Sequence, residues 1–273
     1  MEGKDVADCE LLFAGLSSHL GVSVVQDTAG THIDHVTDQG LSYENIAVRG
    51  YRTRAQLTPH CDSSDATTLL CLRQARTGGV NTVSSSLAVY NDILEHRPEL
   101  LEILYEGFHY NTRAQGPPGR YRDLTSHRVP VFSYHAGRLS CRFNEKGILT
   151  SEQLDGAPRL TDDERHAIDV VARLACEPRY TVDILLQPGD WLLMCNYTVF
   201  HNRSAYEDFP EPERKRLLLR KWLNLPNGRE LTWEFGDHFE TGIRQGPYVP
   251  GEPGQTVRDH PSGSRGHAEV PAQ

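Results

Sequence analysis

The sequence of 273 residues lacks the marks of several large protein classes. No apolar run approaches the ~20 residues that a membrane span needs. The opening MEGKDVADCE is acidic and polar, so no secretory leader is expected, and a cytoplasmic location is. None of the six cysteines stands in a CxxC pair, which excludes a zinc ribbon and gives no sign of a disulfide framework. There is no GxGxxG, no Walker-type GxxxxGKS or GxxxxGKT, no HExxH and no GxSxG. Dinucleotide folds, phosphate loops, zincin proteases and serine hydrolases therefore have no support. Basic residues are too few to balance the acids, 28 against 37, and the net charge of −9 argues against nucleic acid or anionic membrane as a partner.

What is present describes a folded chain. Hydrophobic residues make up 38% and charged residues 24%, enough for one large core. Residues 1–245 are expected to form a single domain. Residues 246–273 hold five Gly and five Pro with few large apolar side chains, the composition of a disordered tail.

Along the chain, Leu11, Leu12, Leu16 and Leu20 fall near helical spacing, with Gly21 as the expected stop. A short strand at 22–25 and polar loops to about residue 56 follow. Thr67–Leu72 and Asn81–Ser84 read as strands. Ser85 or Ser86 can cap a helix, and a second helix starts at Pro98 with Leu100, Leu101 and Leu104 inward. Residues 112–128 form a long loop carrying Arg113, Arg120, Arg122 and Arg128, a candidate lid for an anionic substrate. A hairpin is expected around His135-Ala136-Gly137-Arg138, and a capping box at Thr161 and Glu164 opens another helix. Strands return at 180–186, 191–195 and 217–223. Strands and helices do not alternate, so the expected class is mainly β with flanking helices.

Thirteen histidines are the chemical candidates. His60-Cys61-Asp62 stands out, because residues two apart on a strand face one side. An imidazole and a carboxylate would project together, and a distant third His would complete a facial triad for Fe(II) with open positions. Two HxD matches occur where composition alone gives about 0.9, so context must separate them. His60 precedes an apolar strand. His32-Ile33-Asp34 lies in a polar stretch and reads as an exposed loop, with His32, His35, His96 and His166 on the solvated surface.

His201 ends a second strand-like run. On the strand that follows, period 2 puts Arg214, Arg216, Leu218, Arg220 and Trp222 on one face and Leu217, Leu219 and Leu223 on the other. If the leucines pack outward, the arginines point inward, and a buried Arg needs an anion such as a small dicarboxylate.

Together, HCD at 60–62, GGVNTVSSS at 78–86, PGD at 188–190 and HNRSAYEDFPEPERKRLLLRKWL from His201 resemble the TauD/TfdA family. The likeness runs from about residue 45 to 235. It implies a double-stranded β-helix, the jelly roll of clavaminate-synthase-like and TauD-like enzymes. It also implies an oxygenase that uses Fe(II), 2-oxoglutarate and O2. His60, Asp62 and His201 would be its catalytic metal ligands. Arg216 would hold the distal carboxylate of 2-oxoglutarate, helped by Asn81, or by Thr82 or Ser84. Arg220 would contact the substrate, a small polar metabolite for which an anionic group is one option. A carboxylate at position 62 favours hydroxylation or desaturation over halogenation. The 59 residues before His60 are fewer than the family usually carries, so either a trimmed start or a reduced N-terminal side is expected. Two alternatives stay open: a silent jelly-roll binding protein, and a cupin-type metal enzyme without 2-oxoglutarate.

Overall fold

A computed structural model describes residues 4–115, 123–232 and 234. The tail at 246–273 lies outside the described residues, as do Arg120 and Arg122 of the arginine-rich loop. In chain order the elements are α1 (Val6–Ser18), β1 (Val22–Val24), β2 (Asp34–Val36), β3 (Leu57–His60), β4 (Ala66–Arg73), β5 (Thr77–Gly78) and β6 (Asn81–Ser85). Then come α2 (Ser86–His96), α3 (Leu100–Glu106), β7 (Phe132–His135), β8 (Arg138–Cys141), α4 (Glu145–Ser151) and α5 (Asp162–Leu174). The chain continues through β9 (Thr181–Ile184), β10 (Trp191–Cys195), β11 (Val199–Arg203), β12 (Tyr206–Glu207) and β13 (Leu217–Asn224).

Two antiparallel sheets form the centre. One runs β1-β13-β4-β10, with β2 also paired to β13, and the other runs β3-β11-β6-β9. Their inner faces meet through Leu69, Cys71, Met194 and Leu218 from the first and Val83, Ile184 and Val199 from the second. The expected alternation on β13 holds here, because Leu218 turns inward while Leu219 turns out to meet Cys9 and Phe13 of α1. Arg214 is not on the strand; it sits in a 3-10 turn at 212–214, paired with Glu211. A second core covers the outside of β6 and β11. There Val89 and Ile93 of α2, Leu100 and Leu104 of α3 and Ile168 and Val171 of α5 enclose Phe143 and Phe200.

Local chemistry explains the element ends. Ser85 caps α2, and Thr161 and Glu164 form the reciprocal capping box of α5. Ala136 and Gly137 both have positive φ, 48° and 76°, which matches the right-handed twist of the β7–β8 hairpin. Helix α4, which the sequence reading did not include, starts where the Asn144 side chain accepts from the Gly147 N–H.

Two further segments depart from expectation. Helix α1 buries Cys9, Phe13 and Ser17 at four-residue spacing, whereas Leu11, Leu12 and Leu16 are exposed. Gly21 does not end α1, whose C-cap is His19; it is needed because a Cβ there would stand 2.4 Å from the Asn224 carbonyl oxygen. The second correction is at His32-Ile33-Asp34-His35. The histidines are exposed, but Asp34 opens β2, pairs with Arg220 across the ladder and is buried.

Candidate active site

The antiparallel register sets His60 of β3 directly opposite His201 of β11, with ring centroids 4.4 Å apart. Phe200 fills the helical core, so alternation turns His201 the other way, between the sheets. Just past β3 the alternation continues. Cys61 joins the Phe143–Phe200 cluster, and Asp62 returns to the histidines. The potential ligand atoms of His60, Asp62 and His201 all lie within 4.8 Å of one another, the only such group among the described residues. Two imidazole nitrogens and one carboxylate oxygen around a common point suit a small divalent cation, and this donor set is the one that Fe(II) oxygenases use.

Each donor is oriented by its surroundings. His60 Nδ1 lies 2.8 Å from the Thr58 carbonyl. A carbonyl can only accept, so Nδ1 carries the proton and the Nε2 lone pair is left for a metal. Burial and the neighbouring His201 push the His60 pKa down to about 3, so this ring is neutral at physiological pH. Asp62 Oδ2 accepts from the Thr67 hydroxyl at 2.8 Å and faces His201 Nε2 at 3.6 Å. Burial opposes its charge, but Arg220, His201 and His60 prevail and hold its carboxyl well below the usual range.

The His60 shift has a measurable consequence. Its folded pKa lies below its unfolded value, so between roughly pH 6.5 and 3 the unfolded chain binds the extra proton. The metal-free protein should therefore lose up to about 1.4 kcal/mol of stability per pH unit as pH falls through that window. Urea midpoints measured at pH 6.5 and 5 would show this slope, and His60→Asn would reduce it.

The wall behind Asp62 joins Arg220 and Trp222 of the C-terminal motif to Gln26, Asp34 and Tyr51, which lie outside the motifs. Arg220 Nη2 donates to Asp34 Oδ2 at 2.6 Å, Nε donates to Gln26 Oε1 at 3.0 Å, and Nη1 stands 3.6 Å from Asp62 Oδ1. Its guanidinium also lies over the rings of Tyr51 and Trp222, at 4.6 and 5.0 Å. Burial opposes the Arg220 charge, yet Asp62 and Asp34 raise its pKa further. Arg220 lines the pocket beside His60 and Asp62, while its Nε and Nη2 bond to Gln26 and Asp34 of the wall.

Arg216 and Asn81 meet elsewhere. They line one small cavity with Gly79, Leu186 and Leu218. Arg216 is 3% exposed, and its Nη1 has no hydrogen-bond partner among the described residues. Gly79, at φ +73°, makes room for it, since a Cβ there would stand 3.0 Å from Arg216 Nε. Thr82 faces away and bonds Asp183 at 2.6 Å, and Ser84 shares its side of β6. Of the three alternatives, Asn81 is the one beside Arg216.

The family model described as taurine catabolism dioxygenase TauD, TfdA family matches residues 6–222. The chain belongs to the TauD/TfdA family. Within it, the chain is 33% identical over 240 residues to FR-33289 synthase of Streptomyces rubellomurinus, covering 87% of this chain and 70% of that protein. It is 31% identical over 149 residues to a uridine-5'-phosphate dioxygenase of an Amycolatopsis species, covering 54% and 52% of the two chains. Among solved structures, asparagine oxygenase in complex with Fe(II), hydroxyasparagine and succinate aligns with a TM-score of 0.59 at 16% identity, covering 78% of this chain and 63% of that one. The non-haem iron oxygenase OrfP in complex with Fe and alpha-ketoglutaric acid aligns with a TM-score of 0.54 at 18% identity, covering 79% and 64%. The match thus spans 52–70% of the length of these four proteins. Both solved structures share the fold of this TauD/TfdA protein. No helix among its described residues is long and apolar enough to cross a membrane.

Proposed function

We propose that this TauD/TfdA protein is a non-haem Fe(II)- and 2-oxoglutarate-dependent oxygenase that oxidises a C–H bond of a small polar metabolite. The observation that carries this is the convergence of His60, Asp62 and His201 within 4.8 Å, between two sheets that also bury Arg216 with no partner for its Nη1 among the described residues. We also infer that the two sheets form a double-stranded β-helix. Taking β2, β3, β4, β6, β9, β10, β11 and β13 as strands one to eight, the sheet orders become 1-8-3-6 and 2-7-4-5, the jelly-roll arrangement.

In this reading His60, Asp62 and His201 hold the iron, and Arg216 receives the distal carboxylate of 2-oxoglutarate in a charge-assisted contact. Asn81 offers its amide to the same carboxylate. Leu218 lines the same small cavity as Arg216 and would offer an apolar surface to the methylenes of the co-substrate. Iron, when bound, activates O2, and the overall reaction converts 2-oxoglutarate, O2 and R–H to succinate, CO2 and R–OH. Arg220 keeps Asp62 charged and aimed, and the apolar filling between the sheets excludes water from the reacting centre.

Turnover tests the proposal. Succinate should form from 2-oxoglutarate, slowly without a metabolite and faster with the right one. A chelator should stop it, and added Fe(II) should restore it. A folded, Fe(II)-supplied protein that forms no succinate with any metabolite tried would contradict the proposal.

A further inference from the structure

The charges around the pocket beside His60 and Asp62 do not balance. Arg49, Arg113 and Arg220 line it with Tyr43 and Gln115. Arg220 is answered by Asp34 and Asp62, and Arg49 shares Asp34 at 4.0 Å while donating to the Gln26 carbonyl at 2.9 Å. Three guanidinium groups thus face two carboxylates, and the one left over is Arg113. It is 9% exposed, and among the described residues its Nε has no hydrogen-bond partner and no carboxylate pairs with it. Glu145, on the same side, is engaged by the Thr58 side chain. Iron and 2-oxoglutarate, two charges of each sign, leave this excess unchanged.

Three further observations surround Arg113. First, it is held in an unusual backbone. Arg113 and Ala114 have φ of 51° and 55°, a left-handed conformation that residues with a Cβ rarely adopt. The turn is pinned by the Arg113 N–H to Asn111 Oδ1 at 3.0 Å and by the Gln115 N–H to the Thr112 carbonyl at 3.1 Å. Strain of this kind persists where it aims a side chain. Second, donors stand beside it. Gln115 Oε1 accepts from Ser63, which leaves its amide nitrogen to donate, and burial pushes the Tyr43 pKa up, so its hydroxyl keeps its proton. Third, burial lowers the Arg113 pKa only to about 10, which keeps it charged at neutral pH. A buried, charged guanidinium with neighbouring donors and no carboxylate is an incomplete ion pair.

We propose that Arg113, with the Gln115 amide and the Tyr43 hydroxyl, binds an oxyanion headgroup of the primary substrate, and that Arg220 does not. The substrate is therefore a small metabolite bearing a carboxylate or a phosphonate-type group, its oxidisable carbon held toward His60 and Asp62. This deepens the oxygenase reading and rests on it.

The test uses the full chain, anaerobic and saturated with Fe(II) and 2-oxoglutarate so that Arg216 is occupied. Calorimetric titrations with butyrate, propylphosphonate and neutral 1-butanol compare the wild type with Arg113→Met, Arg113→Lys and Arg113→Gln. At least one oxyanion should bind the wild type, and butanol should not. The stronger of the two names the headgroup. Arg113→Met should weaken that binding roughly 30-fold or more, the loss expected when one partner of a buried charge pair is truncated. Arg113→Lys should recover part of it. The Fe(II)–2-oxoglutarate optical band should persist in Arg113→Met, which shows that the fold and the metal site survive; if that variant fails to fold, Arg113→Gln replaces it. A wild type that forms the band but binds neither oxyanion, or an Arg113→Met protein that binds as tightly as the wild type, would overturn the proposal. Arg113-dependent anion binding without any band would support the pocket and sink the oxygenase reading.

Discussion

Arg220→Leu is expected to destabilise the fold by about 3–5 kcal/mol and to weaken Fe(II) binding about 10–100-fold, although Arg220 ligates no metal. The reason lies in what it leaves behind. Asp34 is 4% exposed and Asp62 7%, and Arg220 stands 2.6 Å from the first and 3.6 Å from the second. Without it both carboxylates stay buried with less positive charge beside them, and Arg49, 4.0 Å from Asp34, is too distant and too engaged to replace it. Asp62 then takes up a proton more readily and loses its fixed orientation. Denaturant midpoints and Fe(II) titrations check the two parts separately. Arg220→Lys should recover little, because one ammonium cannot reach Gln26, Asp34 and Asp62 with the geometry of a planar fork. Adding Asp34→Leu to Arg220→Leu should return part of the stability, since it removes a stranded charge. A single variant within 1 kcal/mol of wild type would contradict this account of the wall.

Arg216→Met should behave in the opposite way. Arg216 is buried, its Nη1 has no partner among the described residues, and Asp208 accepts from its backbone N–H. Removing a guanidinium that awaits a ligand should leave stability unchanged or raise it. Affinity for 2-oxoglutarate should fall by about 2–5 kcal/mol, roughly 30-fold to several thousand-fold, because the distal carboxylate loses its charged partner. Gly79→Ala should push in the same direction more weakly, since its Cβ would crowd Arg216 Nε and its φ of +73° is strained for alanine. Equilibrium binding of 2-oxoglutarate and thermal melts, measured on the same samples, separate the two effects. Lower stability with unchanged 2-oxoglutarate affinity would mark Arg216 as a structural residue.

The parts of this site that were legible in the sequence lie on long, patterned strands. The eight residues of β13 carry enough alternation to place Leu218 inward and Leu219 outward, and Arg216 and Arg220 follow from them. His60 was readable because an apolar strand follows Asp62. Asp34 was not, because β2 has only three residues and borrows its order from β13 rather than from its own pattern. The face of α1 was misread for a related reason. Leucine spacing suggested one side, but the surface offered by Leu70 and Leu219 selects Cys9 and Phe13. Gln26 carries no local signal either, and nothing in the loop sequence separates Arg113 from Arg120, Arg122 and Arg128. The roles of Gln26 and Arg113 arise from contacts with residues 194 positions away, as between Gln26 and Arg220, and from a pocket assembled by several loops.

The most direct measurement is an anaerobic optical titration with Fe(II) and then 2-oxoglutarate, on the wild type, Asp62→Ala and Arg216→Met. A metal-to-ligand charge-transfer band should grow in the wild type, be absent in Asp62→Ala, and require far more 2-oxoglutarate in Arg216→Met. A folded wild type with no band, or a band that survives unchanged in Asp62→Ala, would contradict the assignment of His60, Asp62 and His201 as the iron site.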